Sequence, residues 1–244
     1  MGLGPFKRTS FKTSVYATTS TMREAFMGML RIDQLGRKFR YARAGASDLA
    51  AGKLGVCAAI AAAHVNEAIL TAAAIGTQVL DLTVTTGTAI LANELAGGFF
   101  VVNDATGEGY SYVIAGNTAM LSGGTTITIA LAESLRVALD TTSEFTLVHS
   151  RWNDVIESAT LGAPAGVPLV AVTAAYYYWA QTGGLAAVLI TGTPAAGALV
   201  QQCNAVAGAV EIYATGTITY PPVGFMHGIA GVDTEYYPVE LIID

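Results

Sequence analysis

The chain has 244 residues, of which 52% are hydrophobic and only 12% charged, about half the charged share of an average globular protein. That balance excludes a disordered chain, which is poor in apolar residues and rich in charge. It does not make a membrane helix, because the uncharged stretch 158–210 is broken by Pro164, Pro168, Pro194 and several glycines, and no other segment offers about 20 consecutive apolar residues. The net charge of −6 is unevenly placed: nine of the 12 Lys and Arg lie in 1–43 against two acids, so that segment is +7 and the rest is −13. A basic segment on an acidic body points to an arm that seeks an acidic partner.

Residues 1–43 read as an extended arm. Phe6, Phe11, Tyr16, Phe26, Phe39 and Tyr41 are spaced among Lys7, Arg8, Lys12, Arg23, Arg31, Arg37 and Arg40 without helical or strand period. Such rings dock on the body or anchor on a partner, and aromatic and Arg side chains are the usual anchors of an interface. All of these residues are therefore candidate contacts. Thr21 followed by Glu24 has the spacing of a capping box and predicts a short helix over 21–30. The basic start is not followed by an apolar run of the signal-peptide kind, so export by that route is not expected.

From Ala44 onward Ala, Gly, Val and Thr dominate. A second short helix is predicted over 65–70. Alternation then predicts strands over 78–85, 98–103, 110–114, 125–130 and 145–149, separated by turn-forming pieces such as Asn103-Asp104 and Gly123-Gly124. Further strands are expected over 169–173, 176–181, 186–191, 199–201, 211–213 and 240–243. Turn signals about every ten residues argue for a mainly β fold of one or two sandwich or barrel-like modules, with an extended N-terminal arm and a few short helices. The expected division is an arm over 1–43, a first β-rich module over 44–160, a Gly/Pro linker over 161–168 and a second module over 169–244.

Chemistry-bearing patterns are sparse. His64, His149 and His227 stand apart from one another, and Cys57 and Cys203 form no C-x-x-C pair. Gly107-Glu108-Gly109 lacks the third glycine of a dinucleotide fingerprint and reads as a β-turn. The carboxylate pairs Asp104/Glu108, Asp154/Glu157 and Asp233/Glu235 read as solvated turns rather than an acid–base pair. No catalytic residue, metal or cofactor is expected. The run Tyr176-Tyr177-Tyr178-Trp179 is the most distinctive local feature; as a strand it sends Tyr176 and Tyr178 to one face and Tyr177 and Trp179 to the other. It reads either as a buried strand with hydrogen-bonded hydroxyls or as a contact surface for a partner or a glycan.

Six segments carry a resemblance: 36–45 (GRKFRYARAG), 49–54 (LAAGKL), 101–112 (VVNDATGEGYSY), 135–139 (LRVAL), 176–184 (YYYWAQTGG) and 207–211 (AGAVE). In these pieces and in their order the chain resembles the head decoration (cement) proteins and related virion structural proteins of tailed bacteriophages. The resemblance implies a β-rich, non-enzymatic protein with a terminal arm, a homotrimer as is usual for decoration proteins. It implies assembly in the host cytoplasm and binding to the major capsid protein on the outer surface of the capsid, where neighbouring capsomers are bridged and the DNA-filled head stabilised. The alternative expectation is a tail-associated or host-glycan-binding virion protein using Tyr176 to Trp179; a virion-associated glycan hydrolase is a third class, without a motif behind it. Nucleic acid is disfavoured as the arm's target because the −13 body repels phosphate.

Overall fold

The computed structural model describes residues 14–20, 25–85, 87, 89–160, 162–213 and 220–244. The described residues are 42% strand and 1% helix, so the mainly β expectation holds. In chain order the strands are β1 (Leu30–Ile32), β2 (Lys38–Arg43), β3 (Gly55–Cys57), β4 (Glu67–Ala68), β5 (Val79–Thr83), β6 (Phe99–Asp104), β7 (Ser111–Asn117) and β8 (Thr126–Leu131). They continue as β9 (Glu144–Val148), β10 (Val155–Ile156), β11 (Pro164–Pro168), β12 (Tyr177–Leu189), β13 (Leu199–Gln202), β14 (Val210–Ile212), β15 (Pro222–Met226) and β16 (Tyr236–Ile242).

Two sheets result. The six-stranded sheet, in the order β4-β9-β6-β7-β8-β5, nearly closes as a barrel. Glu67 of β4 spans the gap: its Oε2 accepts from Thr85 N at 3.0 Å and Thr85 Oγ1 at 3.1 Å, just beyond β5. The inward positions of its alternating strands make one core, in which Phe100 lies 5.4 Å from Phe145 and 6.3 Å from Tyr112 with Ile114, Ile127, Ile129 and Leu147 around them. The ten-stranded sheet, β10-β3-β11-β12-β16-β15-β13-β14 with β2 and β1 branching from β12, curls into a half-barrel. Its hollow is filled by β-branched residues, Val56, Val167, Val188, Ile190, Val200, Val223 and Val239, which suit a pleated buried surface.

The modules are not consecutive. β3 pairs with β10, Cys57 opposite Val155 and Val56 opposite Ile156, so the barrel is an insertion in the half-barrel. The expected boundaries at 43, 160 and 168 are corrected accordingly. β2 is a strand of the half-barrel rather than arm, pairing with β12 from Tyr177↔Arg43 to Gly183↔Lys38. The expected linker is a buried strand: β11 pairs Pro164 with Val56 and Val167 with Gln181. Its two prolines sit at its ends, where a missing N–H is tolerated. At Gly166, with φ +130°, a Cβ would lie 2.8 Å from Gln181 O.

Neither predicted helix forms in the described residues. Residues 21–24 lie outside them, and after Gly28, with φ +76°, the chain runs into β1. Around 65–70 a single 3₁₀ turn, Ala62–His64, is followed by Asn66 at φ +59° and by β4, because a left-handed residue ends any helix there. The strands expected over 176–181 and 186–191 are one strand. Gln181 makes this continuity: its Nε2 donates to the carbonyls of Gly183, Gly184 and Leu185 at 3.2, 3.2 and 2.9 Å, holding a bulge where two glycines read as a turn. The expected strand over 169–173 reduces to a bridge between Val172 and Leu49.

Candidate interaction site

Of the candidate contact residues, Phe39, Arg40 and Tyr41 lie on β2 and Tyr177, Tyr178 and Trp179 on the first half of β12. Alternation along β2 puts Phe39, Tyr41 and Arg43 on one face and Lys38, Arg40 and Ala42 on the other. On the first face Tyr41 stacks on Tyr177 at 5.8 Å and tilts against Trp179 at 5.1 Å. Arginines cap these rings: Arg31 lies 5.5 Å over Trp179, Arg37 5.4 Å over Phe39 and Arg43 5.9 Å over Tyr177. A guanidinium over a ring face is attracted by the ring quadrupole while its edge stays free for hydrogen bonds. Val15 and Ala25 complete this cluster, and Thr19 exchanges main-chain hydrogen bonds with Tyr177 at 3.0 and 2.9 Å, so the segment before β1 is laid over the plate.

The other face is held by charge. Arg40 lies 5.1 Å from the Trp152 ring and donates to Gly28 O at 2.8 Å, while its guanidinium grips both carboxylate oxygens of Asp244, Nη2 to Oδ1 at 2.9 Å. Lys38 Nζ donates to Asp244 O at 2.9 Å. Arg151 covers the same Trp152 ring at 4.6 Å. In the β1–β2 turn, Asp33 accepts from the main-chain N of Leu35 and of Arg37, both at 2.9 Å, and from Arg37 Nε at 2.7 Å.

This placement corrects part of the expected contact set. Phe39 and Tyr41 are core residues, 0% and 2% exposed, because they sit on the inner rows of a paired strand. Arg31, Arg37 and Arg40 use their charge within the chain. Tyr16 and Phe26 keep exposed rings. Phe6, Lys7, Arg8, Phe11, Lys12 and Arg23 lie outside the described residues. The Tyr176–Trp179 run does alternate faces, Tyr176 and Tyr178 packing with Ala42, Ala44 and Leu49, Tyr177 and Trp179 with Phe39 and Tyr41. The run is not wholly buried: Tyr178 and Trp179 are, while Tyr176 and Tyr177 are half-buried. Nor is its buried hydroxyl bonded: Tyr178 Oη has no hydrogen-bond partner, and burial pushes its pKa up and keeps it neutral.

Asp244 gives the site a pH dependence. The hydrogen bond from Arg40, chiefly, holds its carboxyl below the usual range. A carboxyl depressed in the folded state adds stability above the unfolded-state value of about 4 and loses it as pH falls through the folded value. Asp244→Asn should therefore lower stability by about 0.5 kcal/mol at neutral pH, a figure discounted for solvent screening. Urea midpoints of variant and parent should converge as pH falls through the folded value of Asp244, below which both lack the ion pair.

The reactive side chains are built into the frame. Cys57 lies 3.8 Å from His149 Nδ1, but that nitrogen also faces Ser150 O at 3.2 Å, and burial, reinforced by Asp154, pushes the thiol up to about 11. A thiol so held stays protonated and is a poor nucleophile near neutral pH. Glu157 accepts from Ala50 N and pairs with Lys53 Nζ at 3.0 Å, and Asp233 accepts from Gly192 N at 2.7 Å. No metal-holding group of His, Cys, Asp and Glu occurs among the described residues. No family model, curated protein or solved structure matches the chain.

Proposed function

We propose that this chain is a non-enzymatic virion structural protein of a tailed bacteriophage, a head decoration (cement) protein that binds the outer surface of the major capsid lattice and bridges neighbouring capsomers. One observation carries the reading: the six segments of the resemblance are contact partners in pairs. Segment 36–45 supplies β2 and segment 176–184 the half of β12 paired to it. Leu54 N donates to Gly208 O at 2.7 Å, joining 49–54 to 207–211. In the barrel Arg136 N donates to Tyr112 Oη at 3.0 Å, and a Cβ on Gly107 would lie 2.7 Å from Leu139, joining 101–112 to 135–139. That these segments meet in space is what supports the reading.

Such a protein works by bridging, alone or as the expected trimer. Burying about 800 Å² of apolar area supplies roughly 20 kcal/mol before association costs, and many copies act on one shell. The purified chain should co-sediment with cognate heads that lack it and raise the temperature at which they release DNA. Absence of co-sedimentation overturns the reading, and gold-labelled antibody collecting at the tail tip favours the tail-associated one. The arm is tested by removing residues 1–13. Removing 1–43 would instead delete β1 and β2 and unfold the plate. If Lys7, Arg8, Lys12 and the two phenylalanines anchor the chain, the shortened protein should keep its fold and lose head binding.

A further inference from the structure

Where the barrel meets its host sheet, a cavity of about 290 Å³ opens between Met27, Arg43 and Tyr177 on the half-barrel side, Leu91 and Glu94 on the barrel side, and Asn153 of the connection that returns from the barrel. Small-molecule sites favour such junctions between modules. Both polar walls are fixed. Arg43 is held by its main-chain N on Trp152 O at 2.8 Å, by Nε on Ala175 O at 3.2 Å and by the Tyr177 ring under its guanidinium, and among the described residues nothing bonds its Nη groups. Glu94 Oε2 accepts from Leu91 N at 2.6 Å, and Glu94 O accepts from Asn153 Nδ2 at 2.5 Å. Asn117 ties the same loop from behind, donating to Leu91 O at 3.0 Å and accepting from Leu95 N at 2.8 Å. Asn153 is only 4% exposed; with Nδ2 committed, its Oδ1 remains as an acceptor. Arg43 and Glu94 thus carry opposite charges into one cavity, and among the described residues neither has an ion-pair partner.

We infer that this cavity binds an acidic monosaccharide of the hexuronic acid class, its carboxylate on Arg43 and its hydroxyls on Glu94 Oε1 and Asn153 Oδ1. A guanidinium whose Nη edge is free and whose other contacts are fixed selects a carboxylate, which matches its fork. The carboxylate of Glu94 on the opposite wall repels a dianion such as a phosphate ester and calls for a ligand whose far end donates hydrogen bonds, as hydroxyls do. Oδ1 of Asn153 makes the same demand. Met27, Leu91 and Tyr177 supply apolar contact for the C–H groups of a ring. Both faces of Tyr177 are taken, by Tyr41 and by Arg43, so the ligand meets its edge. The volume is at the small end for ligand sites and suits one ring rather than a chain. The inference does not rest on the capsid reading, since sugar binding and head binding are measured separately.

The full chain is titrated with D-glucuronate and, in parallel, with glucose, acetate and alanine, and followed by saturation-transfer NMR and amide hydrogen exchange. The expected result is saturable binding of glucuronate, with exchange slowed over 91–94 and at Asn153 but not over Val79–Thr83 of the barrel. Glucose, which lacks the carboxylate, should bind roughly 10-fold more weakly or worse, the scale of a lost hydrogen bond to a charged group. Acetate and alanine, which lack the ring and its hydroxyls, should also bind more weakly. Arg43→Gln should weaken glucuronate binding by roughly 10-fold or more, and Arg43→Lys should restore only part of it, because an ammonium has no fork. If Arg43→Gln misfolds, Leu91→Trp, at a 57% exposed position on the rim, should fill the cavity and abolish binding. Absence of saturable glucuronate binding, equal binding of glucose, acetate or alanine, or binding that both Arg43→Gln and Leu91→Trp leave intact would overturn the inference.

Discussion

Trp179→Ala should lower the stability of the half-barrel by about 3–5 kcal/mol, the range for emptying a large aromatic from a core. Trp179 is 1% exposed and contributes to the plate that joins β12, β2 and the segment before β1. Its loss removes the surface under Arg31 and the tilted partner of Tyr41. The cost is large because the plate cannot collapse: Tyr41 is fixed by β2 pairing and Tyr177 by its hydrogen bonds to Thr19. Urea unfolding measures the loss. The same truncation at Phe26, 75% exposed, should stay within about 0.5 kcal/mol, as for ordinary surface positions. Comparable losses at the two sites would mean that the plate is not what fastens the N-terminal segment to the sheet.

The contrast between Trp179 and Phe26 also shows what the sequence could reveal. Alternation located β5, β6, β8 and β9 within a residue or two and β7 within three, because each is half-buried and announces its inner face: Phe100 and Val102 in β6, Ile127 and Ile129 in β8. β2 has the same alternation over Lys38 to Tyr41, but its half-buried positions are Lys38, Arg40 and Arg43, and in a basic neighbourhood these read as an arm. The guanidiniums of Arg40 and Arg43 lie over the Trp152 and Tyr177 rings, more than a hundred positions along, which no local window can see. β11 was hidden by the composition that closeness requires: Pro, Ala and Gly pack a strand between two neighbours but spell a linker. The insertion of the barrel was hidden for a related reason, since β3 and β10 are pairs of very short strands that meet only across it. At the candidate site the residue types were legible and their exposure was not. Tyr178 and Trp179 differ from Tyr16 only in what the rest of the fold lays upon them.

Gly98→Ala should cost the barrel about 3 kcal/mol, at the upper end of ordinary overpacking penalties, and Gly224→Ala should do the same to the half-barrel. Neither glycine is needed for its dihedral angles; both are needed for their missing Cβ. At Gly98 the added carbon would sit 2.0 Å from Val148 O and 2.8 Å from His149 Cα, and at Gly224 it would sit 2.2 Å from Glu240 O. These are main-chain atoms of paired strands, so no rotamer change relieves the clash: β9 must move off β6 in one case and β16 off β15 in the other. Gly123 provides the opposite case, with φ +80° and open space around it, where alanine should cost about 1 kcal/mol through conformation alone. Hydrogen exchange of each variant resolves which sheet yields. Because the barrel is tethered through β3 and β10 but owns its core, Gly98→Ala should speed exchange over Phe99–Asp104 and Glu144–Val148 while Tyr177–Leu189 stays protected. Equal loss of protection in both sheets would instead make the insertion and its host a single cooperative unit.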